Sequence, residues 1–222
     1  MTNPDKYEPV ATIPLKGMRG VVARQMVLRL RDGAQLTLHR SVSAEGMTRF
    51  RSSCDAGNRP TYNDILLACA VATLTNHPEV NATLEEDVIS QWGHVNIGFA
   101  VALDAGLVVP VIHQAQAKTL GEIAAATADL GARAREGKLK MPEIAHGTFT
   151  VSNLGTFGID FFTPIINPPQ VAILGIGRIH EGRVGLSLTI DHRALDGAPG
   201  ARFLDDLATA LAAPGDLETL GG

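Results

Sequence analysis

His192 stands in the run Asp191-His192-Arg193-Ala194-Leu195-Asp196-Gly197-Ala198, four residues ahead of an aspartate. An imidazole titrates nearest neutral pH of the common side chains. Held by a neighbouring carboxylate and arginine, it is placed to act as a general base. Spacing alone carries little weight: seven histidines and thirteen aspartates among 222 residues give about 0.4 His-x-x-x-Asp matches by chance. The surroundings add to it. Leu186, Leu188 and Ile190 alternate as on one face of a strand, and a helical pattern follows the aspartate. The histidine therefore falls on a strand-to-helix connection, where catalytic groups are commonly presented. An ordinary turn, with Asp191, Arg193 and Asp196 in a capping network, explains the same residues about equally well.

A second segment, Gly147-Thr-Phe-Thr-Val-Ser152-Asn153-Leu-Gly155-Thr-Phe-Gly158, ends an apolar strand in serine and asparagine and then turns through glycines. A hydroxyl at such a strand end can donate to a developing oxyanion, although a turn stabilised by serine and asparagine accounts for it too. Other chemistries find no support. Gly175-Ile-Gly-Arg-Ile-His180 has histidine where a dinucleotide fingerprint needs its last glycine, and no phosphate loop, GxSxG or HExxH occurs. The histidines (39, 77, 94, 113, 146, 180, 192) show no metal-ligand spacing, so no metal is expected, and the other six read as surface or structural residues.

The elements that must position these groups follow from periodicity. Helices are expected over about Lys16–Arg31, Ala44–Arg51, Thr61–Leu74, Thr119–Glu136 and Pro199–Leu211. Thr61-Tyr-Asn-Asp64 and Thr119-Leu-Gly-Glu122 read as capping boxes. Strands are expected at Gln35–His39, Val95–Leu103, Leu107–Ile112, Thr148–Ser152, Val171–Ile176 and Gly185–Ile190. Strands at both hairpin and crossover spacing, mixed with long helices, indicate an α/β sandwich with a mixed sheet. Residues 1–12, polar and broken by Pro4 and Pro9, read as a linker or tail, and 13–222 as one domain.

Composition narrows the function classes. The 222 residues are 45% hydrophobic and 19% charged with a net charge of −4, which is ordinary for a globular protein. No basic run exists to grip nucleic acid. The longest apolar runs, Ile65–Leu74 and Ile97–Leu103, are far short of the roughly 20 residues that span a bilayer. The first nine residues lack a signal-peptide core. Cys54 and Cys69 form no framework, and a reduced, cytoplasmic protein is expected.

Taken together, Asp191–Ala198 with Ala201-Arg-Phe203, Thr148–Gly155 and Pro164-Ile-Ile-Asn-Pro-Pro-Gln-Val-Ala-Ile-Leu-Gly175 resemble the catalytic domain of the dihydrolipoyl acyltransferases, the cores of 2-oxoacid dehydrogenase complexes. Ile13–Arg19 and Asn63-Asp64 match more weakly, Val101–Val111 also fits the family's pattern, and the likeness runs in order over about residues 13–213. The resemblance implies a chloramphenicol-acetyltransferase-like two-layer α/β sandwich, assembled as a homotrimer with active sites between subunits. It implies transfer of an acyl group, acetyl most commonly, between a dihydrolipoyl sulfur and coenzyme A. His192 would then be the general base and Ser152 the oxyanion donor. Asp196 would support the histidine loop by pairing with an arginine, Arg19 by similarity or Arg193, and Asp104 would be a further acidic residue near the site.

The partners implied are a second copy of the chain, a lipoyl domain and the dehydrogenase subunits. The lipoyl group is expected from another domain or chain, since no lipoyl-attachment hairpin is found in the sequence. Larger cubic cores in the family end in an apolar run. Leu217-Glu-Thr-Leu220-Gly-Gly carries fewer apolar residues, so a weakened contact is expected, which leaves both an isolated trimer and a larger cubic core open. A structural core with little activity of its own is the alternative reading, which intact His192, Asp196 and Ser152 disfavour.

Overall fold

The computed structural model describes residues 9–103 and 106–215, without the side chains of residues 18, 19, 21, 25, 29 and 58. Among the described residues five α-helices are formed: α1 (Gly17–Asp32), α2 (Glu45–Ser53), α3 (Tyr62–Leu74), α4 (Leu120–Arg135) and α5 (Gly197–Ala212). The strands are β1 (Gln35–Ser43), β2 (Ala82–Glu85), β3 (Val88–Gln91), β4 (Ile97–Phe99), β5 (Val101–Leu103), β6 (Gly106–Val108), β7 (Val111–Ile112), β8 (Phe149–Asn153), β9 (Ala172–His180) and β10 (Arg183–Asp191). Among the described residues no helix is long and apolar enough to cross a membrane.

Six strands make the main sheet in the order β1-β10-β9-β8-β4-β7. Neighbours are antiparallel except for the parallel pairs β9–β8 and β8–β4, so the sheet is mixed. β2–β3 and β5–β6 are separate two-stranded ribbons.

The two faces of the main sheet differ in chemistry. One carries Leu38, Leu186, Leu188, Ile190, Leu174, Val151 and Phe149, and the helices lie over it. A Cβ on Gly200 of α5 would sit 3.2–3.7 Å from Leu38, Leu188 and Ile190, and Phe203 packs on Phe149 with ring centroids 5.8 Å apart. α3 is apolar nearly all round and is buried accordingly. Its capping box forms as read: Thr61 Oγ1 accepts from the Asp64 amide, and Asp64 accepts from the Thr61 amide. The Thr119–Glu122 box likewise starts α4, and Thr127 of α4 donates to Asp64 at 2.7 Å, tying the two helices together.

The opposite face is polar. Thr37 meets Thr189 at 2.8 Å and His39 Nδ1 meets Ser187 Oγ at 2.9 Å across β1 and β10, and Thr150 and Ser152 continue the row on β8. The segment 158–166 crosses this face in direct contact with the backbone of β9 and β10. Cβ atoms on Gly177 and Gly185 would collide with the Asp160 carbonyl, and one on Gly175 would touch the Phe162 ring. The Arg178 amide fixes the crossing by donating to Ile159 O at 2.7 Å, and its guanidinium donates to Asp160.

Two expectations are corrected. The single strands read at 95–103 and 107–112 are each split. Ala100 turns its amide to Val151 O, and Phe99 donates to the carbonyl of Pro110, a residue that has no amide of its own to offer a ladder. β4 and β7 therefore stay in the main sheet while β5 and β6 leave it as a ribbon. The β2–β3 hairpin lies in a stretch for which no strand was expected, and it turns on Glu86 and Asp87, both at positive φ.

Candidate functional site

The His192 loop is fixed through its backbone. The Asp191 amide donates to Val171 O and the His192 amide to Ala34 O, both at 2.8 Å, while Ala194 and Leu195 amides fold back on Asp191 O. Leu195 is buried in the core and anchors the far end of the turn. Asp191 gathers Arg193, accepting from its Nε at 3.0 Å, its terminal nitrogen at 2.6 Å and its amide at 3.1 Å. Partial burial pushes the Asp191 carboxyl up, but the Arg193 hydrogen bonds outweigh it and hold the group below its usual range.

Asp196 takes the N-cap position of α5 by backbone, yet its side chain accepts no cap bond. It is 81% exposed, with Oδ1 3.5 Å from His192 Nδ1, and His192 itself is 48% exposed. The arginine partner expected for Asp196 is therefore not Arg193, which Asp191 has taken. The backbone of Arg19 lies in α1, but its side chain is outside the described residues, as is Asp104 altogether. A carboxylate facing Nδ1 favours the tautomer with the proton on Nδ1, which leaves Nε2 able to accept one.

Ser152 lies at the floor of an apolar cleft of about 550 Å³. Asn153, next in the chain, sets the turn by accepting from the Gly155 amide at 2.9 Å and reaches Asn63 at the start of α3 at 3.3 Å. On β8, Thr150 is level with Gly98 and Ile173, and Ser152 is level with Gly175. The two flanking glycines matter because each lets a bulky side chain come down on the sheet: Val109 over Gly98, and Phe162 over Gly175. Among the described residues the Ser152 hydroxyl engages no other side chain, whereas Thr150 donates to Gln170 at 2.6 Å.

The structure does not bring His192 and Ser152 together within one chain. Ser152 is level with Gly175 and Gly175 with Ser187, two strands over, while His192 lies five residues further along β10. Five residues at about 3.3 Å and two spacings of about 4.8 Å put their Cα atoms roughly 19 Å apart. Val109 and Phe162, and the positioning role of Asn153, were not evident from the sequence. Isolated glycines inside strands, here Gly98 and Gly175, are the signal that marks a close approach of another group.

Comparison with known proteins places this geometry. Residues 7–219 match the family of 2-oxoacid dehydrogenase acyltransferase catalytic domains. The dihydrolipoyllysine-residue acetyltransferase component of the acetoin cleaving system of Bacillus subtilis is 37% identical, over 96% of this chain and 59% of that protein. The succinyltransferase component of the 2-oxoglutarate dehydrogenase complex of Azotobacter vinelandii is 35% identical, over 92% of this chain and 56% of that protein. This chain thus spans a little over half the length of those relatives.

Among solved structures, the dihydrolipoamide acetyltransferase of Azotobacter vinelandii superposes with a TM-score of 0.87 at 32% identity, covering 96% of this chain and 95% of that one. In that enzyme a serine, a histidine and an asparagine have roles in the catalytic mechanism, the last two four positions apart, as His192 and Asp196 are here. The cubic core of the pyruvate dehydrogenase multienzyme complex gives 0.88 at 31% identity, with 96% and 95% coverage. Chloramphenicol acetyltransferase, at 16% identity and a TM-score of 0.58 over 85% of this chain and 94% of that one, shares the fold alone. The mixed sheet with helices over one face is therefore the chloramphenicol-acetyltransferase-like sandwich, and the chain belongs to the family of 2-oxoacid dehydrogenase acyltransferase catalytic domains.

Proposed function

We propose that this chain is the catalytic core of a dihydrolipoyl acyltransferase, moving an acyl group, acetyl in the first instance, between a dihydrolipoyl sulfur and coenzyme A. The observation that carries this is the pair of unspent groups: an exposed imidazole with Nδ1 facing Asp196, and a serine hydroxyl at the floor of an apolar cleft. His192 Nε2 takes the proton of the coenzyme A thiol as its sulfur attacks the thioester carbonyl. The carbon–oxygen double bond opens to an oxyanion, which accepts a hydrogen bond from Ser152. As the carbonyl re-forms, the carbon–sulfur bond to the dihydrolipoyl group breaks, and the imidazolium returns the proton to the departing sulfur.

Because His192 and Ser152 stand about 19 Å apart in one chain, the working site pairs His192 of one copy with Ser152 of the next, in a homotrimer. A larger cubic assembly, a lipoyl domain and dehydrogenase subunits complete the partners by kinship. Asp196 steadies His192, and Arg19 and Asp104 enter as supporting residues on resemblance alone. Two unpaired thiols suit the cytoplasm; that of Cys69 is pushed up to about 12 by burial and takes no part in the chemistry.

The test is acetyl transfer from acetyl-CoA to dihydrolipoamide. His192→Ala should lower kcat by about 10²–10⁴-fold and Ser152→Ala by about 10²–10³-fold, with the trimer intact in both. Full activity in folded His192→Ala would overturn the proposal.

A further inference from the structure

The acyltransferase proposed, on which this inference rests, must hold coenzyme A by more than its sulfur. A thioester whose carbonyl lies at Ser152 trails a long arm with amides along it. A second cavity, of about 640 Å³, adjoins the Ser152 cleft and shares Ile144 and Asn167 with it.

Gln170 stands in the wall between the two. Its backbone is fixed, its amide donating to Asn167 O at 3.1 Å and the Val171 amide to Ala82 O at 3.0 Å. The residue is only 5% exposed. Its side-chain Oε1 accepts from Thr150, while Nε2 has no partner among the described residues. That nitrogen faces the second cavity: a Cβ on Gly147, one of the lining residues, would stand 2.8 Å from it. A buried donor without an acceptor is unfavourable, and a glycine that leaves it open is what a ligand carbonyl needs to reach it. The other walls suit an uncharged chain. Trp92, pinned by its indole donating to Thr83 at 3.1 Å, and the rings of Pro168 and Pro169 supply apolar surface.

Distance identifies the arm. Thr150 and Ser152 are two residues apart on one face of β8, about 7 Å, and Gln170 Oε1 lies 2.6 Å beyond Thr150. An extended chain advances about 3.3–3.6 Å for every three bonds. In the pantetheine arm of coenzyme A the first amide oxygen is six bonds from the reacting carbon, about 7 Å, which brings it level with Gln170. In a dihydrolipoyl arm acylated on its terminal sulfur the amide oxygen is ten bonds out, about 11–12 Å, and overshoots.

We propose that the cavity beside Gln170 seats the pantetheine arm of coenzyme A, with Gln170 Nε2 donating to the carbonyl of its first amide. Gln170 thereby positions the thioester against Ser152 from the far side of the reacting sulfur.

The experiment compares two small acetyl donors to dihydrolipoamide, with His192→Ala as background. S-acetyl-N-acetylcysteamine ends at that first amide, and S-propyl thioacetate has the same thioester without it. In wild type the amide-bearing donor should exceed the other about tenfold in kcat/KM, and Gln170→Met should bring the ratio close to one. General damage to the fold would lower both donors together and leave the ratio unmoved. A wild-type ratio near one overturns the inference without any variant having to fold. So does a ratio that folded Gln170→Met leaves unmoved, and a rise only in the KM for dihydrolipoamide would give the cavity to the lipoyl arm instead. All of these leave the acyltransferase standing. Absence of His192-dependent transfer even from acetyl-CoA would overturn the acyltransferase, and calorimetry with coenzyme A alone would then decide the cavity. An affinity about tenfold weaker in Gln170→Met is expected, and equal affinities would overturn the inference.

Discussion

His192→Ala and Ser152→Ala proteins, each inactive alone, should restore one another when their subunits are mixed. The roughly 19 Å between the two residues in one chain cannot be closed by an imidazole and a hydroxymethyl group, whereas groups acting on one carbonyl must stand within about 3–3.5 Å of the reacting atoms. In a closed ring of three the contacts are head-to-tail, so each interface takes its histidine from one copy and its serine from the next. In an equal mixture half the copies carry the histidine and the other half the serine. Random assembly therefore gives about one quarter of the interfaces both groups.

Refolding the two variants together, or co-expressing them, should thus lift acetyl transfer to dihydrolipoamide to about a quarter of the wild-type rate per subunit, from a background at least about 10²-fold lower. Neither replacement should disturb the ring, because His192 is half-exposed and Ser152 makes no side-chain bond among the described residues. Native mass spectrometry would verify that mixed trimers formed. Mixed trimers with no gain in rate would refute the split site and require both groups to work within one chain.

Two further predictions address the frame around the site. Gly177→Ala would drive a methyl into the Asp160 carbonyl under the crossing segment. The overpacking should cost about 1–3 kcal/mol, a fall in Tm of roughly 3–10 °C for a chain of this size, and an unchanged Tm would show that the crossing yields freely. Glu143 is held down to about 2, first by the Arg133 side chain and then by the Lys140 amide. A carboxyl depressed in the folded state stabilises above its unfolded value and loses that contribution as pH falls. The Tm advantage of wild type over Glu143→Gln should therefore be full at pH 7 and shrink between about pH 5 and pH 2. An advantage unchanged at pH 3 would sink the assignment.

The helices and the long strands were legible because their signals are local. Thr61 with Asp64 and Thr119 with Glu122 announce helix starts within four residues, and Leu186, Leu188 and Ile190 announce a strand with one apolar face. The β2–β3 hairpin was not legible, since its turn at Glu86-Asp87 adopts positive φ without the glycine or asparagine that usually marks one. The division of the 95–103 and 107–112 stretches was hidden for another reason. It depends on the Ala100 amide finding Val151 O on a strand some fifty residues away, a contact no local pattern records. For the site, residue types could be read but not their relation. The sequence places His192 forty positions after Ser152, and only the register through β9 shows that they lie far apart on the same sheet.

That register also explains why the site should need a second copy. The helix-covered face of the sheet is apolar, closed and complete, so it can be satisfied within one chain. The other face holds Ser152 and a row of hydroxyl and imidazole groups, covered in part by the 158–166 crossing. Around it the chain leaves large apolar side chains in water: Val27 and Leu30 of α1 are 64% and 56% exposed, and Phe157 beside the crossing is 69% exposed. Exposed apolar groups gathered near an apolar cleft are what a protein–protein interface requires. A neighbouring copy that buries them would roof the Ser152 cleft and exclude water from the thioester. It would also supply, from the end of its own β10, the imidazole that this chain cannot bring to its own serine.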